Sequence, residues 1–335
     1  MVTIGLYFFL SPRNAFTTIL FNKSIAGINS IMKTIFICEY VTGGGYINKK
    51  IPKKLFLQAK SIVNSLLNDF NKIPNLKIIY SLDARFNELK KKKNIKCLKI
   101  NKKPIENWKK LLRKTDIYFP IAPETGNKLI NLIKLNKFKK KMISNSLNTI
   151  KLSSSKYKTY LFFKKNSIPT VKTFNKKRSL KISKNWVAKP DDGAGSEENF
   201  IFSNKIDLFN FLKLNKNFVI QPLIKGVSYS ANIVPHNKKA HIINFNKQKI
   251  LYKKNKIVFK GTKLIKKIPH EKKIKEYIKN IFKNFSGINN FFGIDFIISK
   301  KKIFFIDINP RITTSYKNIN KNLRINIAKK ILNTL

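Results

Sequence analysis

Short apolar runs alternate with amphipathic helical patterns along this 335-residue chain, and this alternation constrains its fold more than any other feature. The segments 34-TIFICEY-40 and 303-IFFIDI-308 are typical of buried strands, and helical patterns lie between such runs. The alternation favours an enzyme of the α/β or α+β class over an all-helical or an all-β protein. A chain of this length can bury a large core in two or three lobes.

A first domain is predicted from Met32 to residue 145. It forms a β-α-β series, for which right-handed parallel connections are expected. Its predicted elements are a strand over 34–40, the glycine turn 42-TGGG-45, a helix from Pro52, strands over 76–81 and 116–121, and a helix over 127–140.

A second domain is predicted over residues 146–335, with a small lobe at about 150–220 and a large lobe at about 221–335. The polar stretch 144–156 is interpreted as a linker that ends at a helix capped by Ser154 or Ser155. The predicted elements that follow are a helix through 157–165, strands at 186–190, 218–223, 228–234, 292–299 and 303–308, and a helix at 272–285.

Residues 1–31 contain no acidic residue and two basic ones, a composition that a targeting segment could have. They lack a basic stretch before the first apolar run, however, and Pro12 interrupts that run. Met32 begins 32-MKTIFICEY-40, which leads directly into the first predicted strand. We therefore interpret residues 1–31 as an upstream extension or a misassigned start.

The formal net charge is +54, from 70 Lys and Arg residues against 16 Asp and Glu residues. Such a charge would suit a protein that binds nucleic acid or a membrane surface through phosphate groups. The lysines are instead spread along the chain among asparagines and do not cluster on one module. We interpret the charge as a bias toward A/T-rich codons, and we expect no specific nucleic acid and no membrane as partners.

Cys38 and Cys97 are the two cysteines of the chain, and they do not form a CxxC motif. The three histidines, His236, His241 and His270, are too scattered for a metal cluster. No apolar run approaches the ~20 residues that a membrane-spanning helix needs. The expected location is therefore the reducing cytoplasm.

Two of the scarce acids, Asp295 and Asp307, lie inside strongly apolar predicted strands. A buried carboxylate is costly unless it is paired, hydrogen-bonded or bound to a cation. The short basic turn 299-SKKK-302 predicts an antiparallel hairpin, in which both carboxylates could project from one face together with Asn309. Two carboxylates and an amide form an all-oxygen set of the kind that magnesium takes. The alternative is that these acids form salt bridges with lysines.

A second chemical motif is 186-WVAKPDDGAGS-196, in which a strand delivers Lys189 and a loop with Gly193 and Gly195 follows. Glycines let backbone N–H groups approach phosphate oxygens, and a nearby lysine supplies positive charge. The segment is not a Walker A motif, because no GK[ST] follows. The alternative is an ordinary glycine turn.

The Lys-Pro-x-x-Gly-x-Gly-Ser loop, followed later by a strand pair that ends in Asp-x-Asn-Pro-Arg, resembles the ATP-grasp family. The resemblance implies an ATP-grasp fold over about residues 145–316, with a pre-ATP-grasp α/β domain before it. It implies ATP and Mg²⁺ as cofactors, and Mn²⁺ could replace Mg²⁺. It assigns the nucleotide to Lys156, Lys189, Gly193, Gly195, Ser196 and Gln221, the metal to Asp295, Asp307 and Asn309, and the transferring phosphate to Arg311.

A closer resemblance is to the tyramine–glutamate ligase group of that family. It is carried by 39-EYVTGGG-45, 120-PIAPETG-126 and 306-IDINPRITTSY-316. It implies an ADP-forming ligase that joins the γ-carboxyl group of glutamate to tyramine, and it places Glu39 and Glu124 near the active cleft. For Glu124 the alternative is an acid favoured by a helix dipole.

The expected partners are thus a small-molecule carboxylate and an amine, and a homo-oligomer stays open. The alternatives are a carbamoyl-phosphate-type enzyme or a carboxylase of the same fold, or a basic nucleic-acid-binding protein.

Overall fold

The strands of the chain form two sheets in a computed structural model that describes residues 32–175, 185–192, 198–317, 319 and 326–335. All of the elements below belong to one unit, Lys33–Leu335. Among the described residues, no helix is both long enough and apolar enough to cross a bilayer. The mixture of helices and sheets confirms the predicted fold class.

The first sheet is parallel throughout and has the strand order β3-β2-β1-β4-β5. The predicted parallel series is therefore confirmed, with β1 in the centre because it pairs with both β2 and β4. The strands are β1 (Lys33–Glu39), β2 (Leu76–Asp83), β3 (Ile95–Ile100), β4 (Ile117–Ile121) and β5 (Lys141–Met142).

Three helices accompany this sheet: α1 (Lys53–Phe70), α2 (Pro104–Arg113) and α3 (Lys128–Lys134). α3 follows a single 3₁₀ turn, Thr125–Asn127, and is shorter than the predicted helix over 127–140. The cause is Asn136, whose side chain hydrogen-bonds the backbone N–H and C=O of Lys140. Such a local bond competes with the helical hydrogen bonds and ends the helix.

The prediction of a linker over 144–156 was wrong, because this stretch contains the helix α4 (Leu147–Ser153). Ser146 caps α4 by accepting a hydrogen bond from the Thr149 N–H. α5 (Lys156–Lys165) follows, and Ser155 caps it by accepting a bond from the Lys158 N–H. Ser146 and Ser155, which are typical of turns in the sequence, thus begin two successive helices.

The second sheet has eight antiparallel strands in the order β13-β12-β9-β10-β11-β7-β6-β8. The sequence did not predict the long central hairpin of β10 and β11. The strands are β6 (Trp186–Pro190), β7 (Asn199–Phe202), β8 (Phe218–Pro222), β9 (Val227–His236), β10 (Lys239–Lys253), β11 (Lys256–Ile265), β12 (Phe292–Ser299) and β13 (Lys302–Asn309). The helices of this part are α6 (Lys205–Leu214), α7 (Glu271–Asn284) and α8 (Ile327–Leu332).

One hydrophobic core joins the two parts of the unit. It contains Ile35 and Ile37 of β1 together with Phe291, Ile312 and Tyr316 from the C-terminal part. The hydroxyl group of Tyr316 donates a 2.7 Å hydrogen bond to the buried carboxylate of Asp69 in α1. This shared core brings the carboxyl ends of β1 and β4 close to the β12–β13 hairpin, and a cavity lies between them.

Candidate functional site

A cavity of about 430 Å³ is lined by residues of both sheets. It brings together every site residue predicted from the sequence that the structure describes: Lys156, Lys189, Gln221, Asp295, Asp307, Asn309 and Arg311. Gly193, Gly195 and Ser196 lie outside the described residues, so the predicted phosphate loop stays a prediction.

The centre of the cavity is the antiparallel hairpin of β12 and β13, which confirms the predicted hairpin. Asp295 lies directly opposite Asp307. The register shifts after this pair, so that Ile306 of β13 is not paired with a residue of β12. Asn309 donates its amide N–H to Asp295 Oδ2 at 3.1 Å. Gln248 donates to Asp295 Oδ1 at 2.9 Å. The three predicted oxygen ligands therefore lie together on one face.

Burial, and after it the negative charge of Asp307, raises the pKa of Asp295 to about 7. Burial also raises the pKa of Asp307, against the lowering effect of Lys156. Each carboxylate is therefore held where its charge is unfavourable in the absence of a ligand. The Oδ1 atom of Asn309 accepts no hydrogen bond from the described residues, so it is available as an oxygen ligand. This donor set fits a magnesium ion.

Lys156 and Lys189 lie beside these acids. Lys156 is the first residue of α5, and its Nζ lies 3.8 Å from Asp307 Oδ2. Lys189 lies on β6, and burial, and after it the positive charge of Lys156, lowers its pKa to about 8. The two cations repel each other, so the site can accept further negative charge such as phosphate groups.

Asp191, to which no role was assigned from the sequence, connects β6 with the start of α5, the two elements that carry Lys189 and Lys156. It follows β6 directly, and its carboxylate accepts bonds from the Ser155 hydroxyl group at 2.6 Å and the Tyr157 N–H at 2.8 Å. Its backbone carbonyl accepts the Lys156 N–H. An acid that contacts the N-terminus of a helix from outside, as Asp191 contacts that of α5, is favoured by the helix dipole.

Gln221 lies on β8 and is buried. Its amide N–H donates a 2.8 Å hydrogen bond to the hydroxyl group of Thr173. Leu223 and Ile224 follow it and line the cavity beside Val187 of β6. This end of the cavity thus has apolar walls and a fixed amide, a combination that suits a flat heterocycle.

Arg311 follows the hairpin and forms an ion pair with Glu124, in which Nη2 lies 2.7 Å from Oε2. Glu124 comes just after β4, so the pair joins the two parts of the unit. Glu39, at the end of β1, also lines the cavity. Its carboxylate accepts hydrogen bonds from the Val41 N–H, the Thr42 N–H and the Thr42 hydroxyl group.

A buried network of amide and hydroxyl side chains, which was not predicted from the sequence, lies mainly on β9 and β10 beside the hairpin. Asn232 of β9 contacts Asn244 at 3.0 Å and Ser315 at 2.9 Å, and Thr313 donates to Asn232 at 3.0 Å. Asn244 in turn donates to Asn246 at 2.8 Å. The signal was present in the sequence as polar residues at alternate positions of two adjacent strands.

Models of two known domain families match this chain. Residues 153–315 match the ATP-grasp domain, and residues 76–150 match the pre-ATP-grasp 3 domain. Together they include every described residue of the predicted nucleotide and metal sites, and Glu124 as well.

Among known proteins, the chain is similar to tyramine–L-glutamate ligase of Methanocaldococcus jannaschii. The two are 31% identical over 300 residues, which cover 87% of this chain and 86% of that protein. The fold is similar to that of an ATP-grasp superfamily protein from Archaeoglobus fulgidus, with a TM-score of 0.69, 18% identity, and coverage of 90% and 88%. It is also similar to the biotin carboxylase domain of 2-oxoglutarate carboxylase from Hydrogenobacter thermophilus, which was solved with MgADP. That TM-score is 0.67, at 14% identity, with coverage of 91% and 70%.

Proposed function

Because this chain belongs to the ATP-grasp family, we propose that it joins the γ-carboxyl group of glutamate to a primary amine such as tyramine. The chain is an ADP-forming ligase that makes a carbon–nitrogen bond between a carboxylate and an amine. The two substrates are those in the name of the M. jannaschii relative. They are consistent with a cavity that is lined by charged residues suited to phosphate groups and by apolar residues.

The observation that carries the proposal is the position of Lys156 and Lys189 beside the Asp295–Asp307 pair. Two lysines can neutralise phosphate groups, and two acids with Asn309 can hold the metal ion that accompanies them. Arg311, on the same cavity, supplies a fixed cation for the phosphoryl group in transfer. Gly193, Gly195 and Ser196 would close over the phosphates, as the resemblance implies.

Gln221 would face the nucleotide base or the ribose. One of its amide N–H groups donates to Thr173, so its second N–H group and its Oε1 atom are left for the ligand. Asp295, Asp307 and Asn309 would hold Mg²⁺, and Mn²⁺ could replace it because Mn²⁺ accepts the same oxygen ligands. A divalent ion bound there would neutralise charge on the phosphate groups.

The reaction balances in two steps. A carboxylate oxygen of glutamate forms a bond to the γ-phosphorus of ATP, and the bond to the bridging oxygen breaks to release ADP. The neutral amine then attacks the acyl carbon and loses a proton, and phosphate leaves with the original carboxylate oxygen. The protein contributes position and charge, with the lysines and Arg311 facing the phosphoryl group.

The test is to incubate the purified protein with ATP, Mg²⁺, glutamate and a panel of amines, and to follow ADP release and product mass. We expect ADP release that needs both substrates, and a product with the mass of a γ-glutamyl amide. An oxygen-isotope label in the γ-carboxyl group should appear in the released phosphate. ADP release with bicarbonate and none with glutamate would instead indicate a carboxylase or a carbamoyl-phosphate-type reaction.

A further inference from the structure

The ratio of acidic to basic residues is much higher in the lining of the cavity than in the whole chain. Among the described lining residues, five are acidic, out of 16 in the sequence, and four are Lys or Arg, out of 70. Asp295 and Asp307 lie beside the two lysines, whereas Glu39 and Glu124 lie at or just after the carboxyl ends of β1 and β4 in the first sheet. Arg311 is the cation that contacts Glu124, and Lys128 also lines the cavity.

Glu39 and Glu124 differ in how their carboxylate oxygen atoms are used. Both oxygens of Glu39 accept hydrogen bonds from residues 41 and 42, so Glu39 has its partners within its own loop. Glu124 is only 7% exposed, and Arg311 occupies its Oε2 atom. Its buried Oε1 atom has no hydrogen-bond partner among the described residues. Lys128, the nearest lysine in sequence, donates instead to the carbonyl group of Thr125.

A buried carboxylate oxygen without a donor is an unfavourable arrangement that a cationic ligand would relieve. The buried Nε–H group of Arg311, in the same ion pair, also has no partner among the described residues, and a ligand with N–H donors and a positive charge would supply a partner for Oε1. A primary ammonium group has both properties. Water would satisfy the oxygen as well, but it carries no charge to interact with the carboxylate.

An apolar wall lines the same cavity as this acid. Leu55, Ala59 and Ile62 of α1 line the cavity at spacings of four and three residues, so they share one helix face. Gln58 lines it between them, and its side chain makes no hydrogen bond with the described residues. An apolar body with one polar end would fit against this wall.

We propose that Glu124 and the α1 wall form the binding site of the amine substrate, with the ammonium group on Glu124 Oε1 and the apolar body against Leu55, Ala59 and Ile62. This inference rests on the proposed function in one respect, namely that an amine is a substrate. The α-ammonium group of glutamate is a poorer occupant, because the adjacent α-carboxylate would be brought against Glu39, Glu124 and an apolar surface.

The test is equilibrium binding of tyramine to the full chain with Mg²⁺ and a non-hydrolysable ATP analogue, so that no turnover is needed. Glu124→Gln should raise the Kd for tyramine about tenfold or more, because a charge-assisted hydrogen bond is lost. The alcohol in which a hydroxyl group replaces the amine should bind the wild type more weakly than tyramine does. It should bind the Gln variant as well as tyramine does, since the variant no longer recognises the charge.

Leu55→Ala tests the wall independently and should raise the Kd for tyramine about threefold to tenfold. Leu57→Ala is its matched control, because Leu57 lies on the same helix but is exposed to solvent. Equal effects of the two leucine variants, or an unchanged Kd for Glu124→Gln, would overturn the proposal. So would a wild-type protein that binds none of the amines in the panel.

Hydroxylamine separates this inference from the proposed function. It is an uncharged nucleophile at neutral pH, and it can trap an acyl phosphate without an ammonium site. If Glu124 binds the amine, Glu124→Gln should lower the ratio of amide to hydroxamate formation. If Glu124 acts only by holding Arg311, both products should fall equally, and the inference is wrong. If the wild type forms no hydroxamate from glutamate, the proposed donor is wrong, and the binding measurements still decide on the amine site.

Discussion

Two pairs of carboxylates face the same cavity from opposite sheets, and the protein holds them in different ways. Asp295 and Asp307 lie opposite each other across a hairpin, and amide side chains and Lys156 surround them. Glu39 and Glu124 lie at the ends of parallel strands, and their partners are backbone N–H groups and an arginine. Both pairs are largely buried in a chain that is otherwise strongly cationic.

Glu39 differs from the two aspartates in that hydrogen bonds within the protein already satisfy both of its carboxylate oxygens. Burial and mutual repulsion raise the pKa of Asp295 to about 7, so the aspartate pair is electrostatically unfavourable until a cation arrives. Burial also raises the pKa of Glu39, but the hydrogen bonds from Thr42 and Val41 oppose it. Glu39 is therefore a structural carboxylate, whereas the aspartates are poised for a ligand. Substitutions in the two pairs should separate stability from activity.

The largest expected effect is that of Asp307→Asn on activity. We expect turnover to fall about 100-fold to 1,000-fold, because an anionic ligand and its charge stabilisation are lost. The fold should remain intact, and the free energy of unfolding without ATP should stay the same or rise, since the repulsion from Asp295 is relieved. Steady-state kinetics and thermal melting with and without Mg-ATP measure the two effects.

The matched control for Asp307→Asn is Asp207→Asn, an exposed position in α6. It should leave turnover unchanged and change stability by no more than about 0.5 kcal/mol. The interpretation of Asp307 as a metal ligand would be wrong if Asp307 served mainly as a partner of Lys156. The Asp307 variant would then lose roughly 3–5 kcal/mol of stability while it kept its turnover and its stabilisation by Mg-ATP.

Lys189→Ala should affect the nucleotide and leave the fold alone. Burial and Lys156 already make the charge of Lys189 unfavourable in the free protein, as its lowered pKa of about 8 indicates. We expect the KM for ATP to rise about tenfold or more, because a charged contact to phosphate is removed. Lys213→Ala, at an exposed position, is the control. Unchanged KM and kcat for the Lys189 variant would remove this lysine from the site.

The sequence predicted the elements of the fold whose apolar residues follow a clear period. β1 is an example because it is apolar and buried almost throughout, and β12 and β13 are examples because their buried residues largely alternate with half-buried ones. The long β10–β11 hairpin was missed, since exposed lysines obscure its apolar residues. The helix α4 was missed because its capping serines resemble a turn.

Some residues of the site could likewise be predicted from the local sequence, and others could not. Asp295 and Asp307 could be predicted because a carboxylate inside an apolar strand is costly and therefore informative. The Glu124–Arg311 contact joins residues 187 positions apart in the numbering, and no local pattern reports it. The Asn232 network likewise depends on which strands pair, and that pairing is a property of the tertiary structure.

Glu39→Gln sharpens the comparison through stability. Backbone N–H groups face both oxygens of Glu39 and cannot turn away. The amide N–H groups of a glutamine at position 39 would face one of these backbone N–H groups, which should lower the free energy of unfolding by about 1–3 kcal/mol. Asp295→Asn should cost little, because its partners Gln248 and Asn309 are amides that can rotate to exchange donor and acceptor. Chemical unfolding of both variants measures the contrast, and equal losses of stability would contradict it.

A further contrast between the two pairs of carboxylates is a pH dependence carried by Asp295. In an unfolded chain an aspartate has a pKa of about 3.9, whereas in the folded protein burial, and then Asp307, raises that of Asp295 to about 7. Between about pH 4 and about pH 7 the folded state therefore binds more protons than the unfolded state, and the free energy of unfolding must fall as the pH rises through this window. Asp295→Asn removes this contribution, so the stability of the wild type relative to the variant should decline from about pH 4 to about pH 7 and stay level outside it. Urea unfolding of both proteins across that range measures the difference, and two curves that run parallel would show that Asp295 is not poised in the way that distinguishes it from Glu39.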